Sequence, residues 1–135
     1  MNILHIAVHM GAGAGKAISG IAISDQVNKH NIILLDEPEK YDHIKRCGQN
    51  GISVRICPTA EEEKEAVSKA DAVVVNWWHH PLTYRTLMNI ANIPSRLVLW
   101  CHVNGLHYPE LNPAFISCFD ACMFTSKKSF ENKRW

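Results

Sequence analysis

Residues 2–16 read Asn2-Ile3-Leu4-His5-Ile6-Ala7-Val8-His9-Met10-Gly11-Ala12-Gly13-Ala14-Gly15-Lys16, and their pattern decides the fold. The run over 3–8 is almost wholly apolar, as in a strand buried on both faces. Three glycines follow. From Lys16 onward, Ile18, Ile21, Ala22 and Val27 fall mostly on one helical face, which predicts a helix over 16–29. The alternation then repeats. Apolar runs at 32–35, 54–57, 72–75, Leu97–Cys101 and Ala121–Phe124 are separated by helical patterns at 40–48, 60–69 and 81–91, with a last one opening near Ser126. Thr59 is placed to cap the third helix, and Pro81 suits the first turn of the fourth. Repeated β–α units with apolar strands predict a Rossmann-like three-layer α/β/α sandwich built on a mainly parallel sheet.

The chain has 135 residues, a length that matches one domain. Its 14 Lys and Arg against 13 Asp and Glu leave a formal charge of +1, which argues against broad electrostatic capture of nucleic acid. No apolar run approaches the roughly 20 residues of a membrane-spanning helix, and the start MNILHIAV lacks a basic leader. The expectation is a soluble cytoplasmic domain. Cys47, Cys57, Cys101, Cys118 and Cys122 are an odd number without a Cys-x-x-Cys pair, so they read as structural thiols. The charge run Glu61-Glu62-Glu63-Lys64-Glu65 reads as a solvated face near a helix start. The tail from Ser126 carries Lys127, Lys128, Lys133 and Arg134 against Glu131 alone. It reads as a helix of about three turns without a C-cap, from which the chain is expected to continue past Trp135.

In open parallel sheets, ligands bind outside the carboxyl ends of the strands, at the point where strand order reverses. The most unusual residues fall in those loops. Gly11, Gly13 and Gly15 before a helix let amide N–H groups approach an anion, with Lys16 beside them; a plain tight turn is the other reading. The loop is not a Walker A motif, because Met10 and Ala17 stand where glycine and a hydroxyl belong. It also breaks the Gly-x-Gly-x-x-Gly frame, since Lys16 takes the third glycine's place counted from Gly11. After the fourth strand comes Asn76-Trp77-Trp78-His79-His80-Pro81. Aromatic faces there suit sugar C–H surfaces and imidazoles suit hydroxyls, or else one tryptophan is core and the histidines are surface residues. Zinc at His79, His80 and His102 lacks a joining carboxylate, and adjacent histidines point apart. His102 ends the fifth strand as either a ligand-contacting residue or a buried, satisfied histidine. Asn104-Gly105 is a turn signal that puts His107 and Tyr108 on a surface segment. Thr125-Ser126 is read first as a helix cap.

These pieces together resemble the N-terminal half of a GT-B glycosyltransferase, of the family 4-like retaining kind. The likeness spans the whole chain through loose motifs whose order and spacing match: the opening strand Asn2-Ile3-Leu4-His5-Ile6 with its glycine-rich loop, the Asn28-Lys29-His30-Asn31 turn, Asp71-Ala72-Val73-Val74-Val75-Asn76, the 97–102 strand closing in histidine, and Phe119-Asp120-Ala121-Cys122-Met123-Phe124-Thr125-Ser126. The resemblance implies a two-domain enzyme of which residues 1–135 are the acceptor-side half; the second domain, bearing Glu-x7-Glu, is missing from this chain. It implies transfer of a sugar from a nucleotide-sugar donor to a saccharide or lipid-linked acceptor, with retention and with neither a metal nor a resident cofactor. By the same resemblance His102 is the catalytic-site histidine that contacts the transferred sugar. Gly11, Gly13, Gly15, Lys16, Trp77, His79, His80 and Asn104 would then bind substrate. The domain alone is expected to have little or no turnover. Phe130, Trp135 and the basic tail are open to a reading as peripheral contact with the inner membrane face, against that of an amphipathic helix. Met10-Gly11-Ala12 departs from the family's usual paired glycines, and no arginine follows the loop. The rival is a nucleotide- or NAD-binding Rossmann module, for which Asp36 and Glu37 stand about 20 residues past the loop. A signalling receiver would need a lysine in the fifth strand, and Leu97–Cys101 has none.

Overall fold

The computed structural model describes residues 1–108, 110–131 and 133. Its elements follow the alternation of the sequence: β1 (Asn2–Ala7), α1 (Ala12–Ser24), β2 (Lys29–Leu34), α2 (Asp42–Gln49), β3 (Ser53–Ile56), α3 (Ala60–Ser68), β4 (Ala72–Trp77), α4 (Pro81–Ile90), β5 (Leu97–Cys101), α5 (Pro113–Ile116), β6 (Ala121–Phe124) and α6 (Lys127–Phe130). All six strands form one sheet in the order β3-β2-β1-β4-β5-β6, and every pairing is parallel. The chain adds strands outward from β1 to β3, then returns to the other side of β1 with β4. Right-handed crossovers put helices on opposite faces before and after such a reversal. The two cores fit this. Ile18 and Ala22 of α1 and Cys47 of α2 pack with Ala7, Ile32 and Leu34 on one face. Val67 of α3 and Ile90 of α4 pack with Leu4, Ile6, Val73, Val75 and Leu99 on the other. The fold is a Rossmann-like α/β/α sandwich.

Local chemistry explains most boundaries. β4 is buried at all six positions, as a strand beside β1 under both layers must be. Thr59 and Glu62 form a reciprocal capping box at the start of α3, Pro81 opens α4, and Ser126 accepts from the Ser129 amide at α6. Several expectations need correction. Helix α1 begins at Ala12 rather than Lys16 and ends at Ser24, so Gly13 and Gly15 are helical and Lys29 belongs to β2. Its inward face is Gly15, Ile18, Ser19 and Ala22; Ile21 and Val27 are exposed. The early start is enforced by packing: a Cβ on Gly15 would lie 2.2 Å from the Met10 carbonyl oxygen, so only glycine lets the helix lie against that loop.

The short helix α5, capped by the Asn112 side chain with Pro113 in its first turn, was not expected. The charge run is not wholly solvated. Glu63 is buried, with its carboxylate meeting Arg85 Nη2 at 3.5 Å and Asn89 Nδ2 at 3.2 Å from α4. The last helix spans four residues rather than three turns, and the Glu131 amide closes it on the Lys127 and Ser129 carbonyls. Arg134 and Trp135 lie outside the described residues. All five cysteines are free, but only Cys47 and Cys101 are buried; Cys57 and Cys118 are exposed.

Candidate site at the carboxyl edge

The reversal of strand order falls between β1 and β4, so the loops after β1, β4 and β5 border the crevice where this architecture receives ligands. Backbone strain concentrates at that edge. Ala12, Cys57 and His79 adopt left-handed φ values of 45°, 48° and 55°, and they follow β1, β3 and β4 respectively. Such conformations in residues with a Cβ cost on the order of 1–2 kcal/mol each and need surrounding structure to hold them.

The 76–80 segment divides between the two faces of the sheet. Trp77, still in β4, is fully buried among Phe115, Tyr84 and His79, and its indole nitrogen has no partner among the described residues. It is a core residue, the alternative that the sequence leaves open for one of the two tryptophans. Trp78 turns the other way and contacts two histidines, His9 with tilted rings at 5.4 Å and His102 edge-on at 5.7 Å between ring centroids. Trp100 completes this group at 4.8 Å from His102. His79 therefore belongs to the Trp77 side. His80 caps α4, its Nδ1 accepting from the Leu82 amide at 3.3 Å. These placements separate the three histidines considered for zinc. Among the described residues, no group of three or more His, Cys, Asp and Glu side chains is arranged to hold a metal ion.

His102 is the best-defined member. Its Nε2 lies 2.9 Å from Asn76 Oδ1. Asn76 is fully buried, and its Nδ2 lies within reach of the Ile6 and Val74 carbonyls at 3.2 and 3.3 Å. Those two acceptors fix the amide orientation, since only an NH2 can face two carbonyls. Oδ1 must then accept from His102, whose proton sits on Nε2. Burial lowers the His102 pKa below the ordinary imidazole value, so the ring is neutral at pH 7. Nδ1 is left with its lone pair and no partner among the described residues.

His9 is fixed in a similar way. Its Nδ1 accepts from the Gly11 amide at 3.2 Å, which leaves Nε2 as the ring's N–H. Beside it, no side chain caps α1 and no acidic residue occupies its first turn, which leaves the amides after Gly11 and the helix dipole to the solvent. Gly13 on that first turn and Lys16 just beyond it are exposed. Gly15 is not: it is buried against Met10 and His43, a packing glycine rather than an anion contact. Asn104 closes a turn by accepting from the Leu106 amide at 2.9 Å. His107 and Tyr108 are exposed, as the turn signal implies.

The structure therefore joins His9, Gly11, Trp78, Trp100 and His102. It leaves Trp77 and Gly15 buried in packing contacts and Asn104 in a turn outside this group. Asn76, His9 and Trp100 were not singled out as site residues in the sequence. The signal for Asn76 was its place as the one polar residue of β4. A separate cleft of about 290 Å³ opens on the α3 side of β2 and β3, but its Arg55 and Lys69 are already paired with Glu62 and Glu65. No helix is long and apolar enough to cross a membrane among the described residues. No protein-family model matches the chain, and no curated protein matches it.

Proposed function

We propose that residues 1–135 form the acceptor-side domain of a GT-B, family 4-like retaining glycosyltransferase, working at the cytoplasmic side of cell-surface polysaccharide or glycolipid synthesis. The observation that carries the reading is the neutral His102 with Nδ1 unengaged, standing beside Trp78 and Trp100 at the strand-order reversal. Sugars present hydroxyls to hydrogen-bonding groups and C–H faces to aromatic rings, and this group offers both. The open amide end of α1, next to His9 and Trp78, suits the diphosphate of a nucleotide sugar. In that arrangement His102 orients a hydroxyl of the transferred sugar, and the α1 amides stabilise charge on the departing phosphate. The acceptor would be a saccharide or a lipid-linked sugar, the latter reached by peripheral contact with the membrane. Turnover would require a second domain to close the other wall of the cleft.

The test is the gene product read from its full coding frame, incubated with nucleotide-sugar donors while release of nucleoside diphosphate is followed. The expected result is release that His102→Ala abolishes. Absence of release from every donor would overturn the reading. A second reading has its own support. The order β3-β2-β1-β4-β5-β6 is that of dinucleotide-binding folds, and Asp36 follows β2 where a ribose is gripped. Against it, Lys16 stands where the third glycine of the dinucleotide-binding frame belongs. Tight NAD binding together with absent sugar transfer would favour that second reading.

A further inference from the structure

We infer that Asn76 is a positioning residue that locks His102 into its Nε2–H form, so that the site presents a lone-pair acceptor at Nδ1 and selects ligands by a donated hydroxyl proton. The selectivity half of this inference rests on the proposed sugar-binding function; the lock does not. Three bonds hold the amide. Two backbone carbonyls, Ile6 on β1 and Val74 on β4, take the Nδ2 protons, and His102 at the end of β5 gives its proton to Oδ1. The amide thus ties three neighbouring strands at the reversal point of the sheet and cannot turn over without setting oxygen against two carbonyl oxygens. An Asn–His pair differs from the more familiar Asp–His pair in charge. A carboxylate would favour imidazolium, with N–H groups on both sides and an affinity for anions; a neutral amide leaves one nitrogen bare.

The placement of Asn76 makes the arrangement rigid. It is buried in the strand flanked by β1 and β5, while His102 is only partly buried beside two indole rings. One side of the imidazole is therefore spoken for by the interior and the other faces the carboxyl edge. A ligand hydroxyl meeting Nδ1 must act as donor, and a ligand carbonyl or phosphate oxygen finds no proton there. The amides of α1 provide the contrasting donor surface. Together the two would sort a sugar hydroxyl from a phosphate within one crevice.

The experiment is a long-range proton–nitrogen correlation spectrum of the isotope-labelled chain at neutral pH, without ligand. The expected pattern for His102 is a pyrrole-type signal at Nε2 and a pyridine-type signal at Nδ1. The reverse pattern, or averaged signals at both nitrogens, would overturn the lock. Asn76→Leu removes the acceptor and should move Nδ1 toward the pyrrole type, because the proton transfers to the solvent side. An unchanged spectrum in that variant, folded as judged by circular dichroism, would refute Asn76 as the cause. Should the variant not fold, the spectrum of the unaltered chain still decides. With methyl glucoside as probe, a folded Asn76→Leu chain should bind roughly 3- to 10-fold more weakly, the worth of one hydrogen bond. An intact lock with no glucoside binding would refute the selectivity while leaving the tautomer assignment standing.

Discussion

Gly15→Ala is expected to destabilise the chain while Gly20→Ala stabilises it, although both replace a glycine of the same helix. A Cβ on Gly15 would lie 2.2 Å from the Met10 carbonyl oxygen and 2.7 Å from both the Met10 carbonyl carbon and His43 Cδ2. The first two atoms are backbone, in the loop between β1 and α1, and cannot move aside as a side-chain tip can. Overpacking of this kind costs about 1–3 kcal/mol, and contact with backbone belongs at the upper end. Alanine returns about 1 kcal/mol of helix propensity, leaving a net loss of about 2 kcal/mol. A Cβ on Gly20 meets nothing within 4 Å, so only the propensity term remains and stability rises by about 1 kcal/mol. At this length each kcal/mol moves Tm by about 3–4 °C. Thermal unfolding followed by circular dichroism should therefore put the two variants about 10 °C apart, on either side of the unaltered chain. A Gly15→Ala variant as stable as the parent would show that the helix does not seat on Met10 as described. It would return Gly15 to the list of candidate anion contacts.

Acid should weaken the fold through His5. Burial first, then His30, lowers its pKa from 6.5 to about 4. The unfolded chain takes up this proton first, so stability falls as pH drops from about 6.5 to about 4, by a total on the order of 3 kcal/mol. Urea titrations across that window should show the slope, and His5→Leu should remove most of it. Thr59→Ala breaks the capping box of α3 and should cost about 1 kcal/mol by the same titration. Trp77→Ala should cost about 3–5 kcal/mol of stability as a core deletion. Trp78→Ala removes a partly buried ring packed on the other face, so it should cost less, about 1–2 kcal/mol, and weaken glucoside binding; a loss as large as that of Trp77→Ala would contradict its partial exposure.

The strands were legible because their apolar runs carry no competing signal. Residues 97–101 and 121–124 were bounded correctly from pattern alone. The start of α1 was not legible, since Gly13 and Gly15 are poor helix formers and only contact with the Met10 loop explains their helical state. Glu63 was hidden inside a run of charges, although Val67 one turn later marks the same inward face. The Asn112-Pro113 start signal of α5 heads a helix of four residues, too short to show a periodic apolar face. The Trp-Trp-His-His cluster suggested a shared site, but consecutive residues leaving a strand point to opposite faces, and the sheet parts Trp77 from Trp78. Asn76 became a functional candidate only through the register that brings Ile6, Val74 and His102 around it. Register likewise brings His5 Nε2 within 2.9 Å of His30 Nδ1, while His30 Nε2 lies 3.1 Å from Asp25 Oδ2.

The central claim is that the carboxyl edge beside His102 binds sugar. Saturation-transfer difference spectra of this chain with methyl glucoside and with NAD, recorded in parallel on the parent and on His102→Ala, test it most directly. The account predicts transfer to glucoside ring protons that falls sharply in the variant, and none to NAD. Transfer to NAD alone, unaffected by His102→Ala, would contradict it.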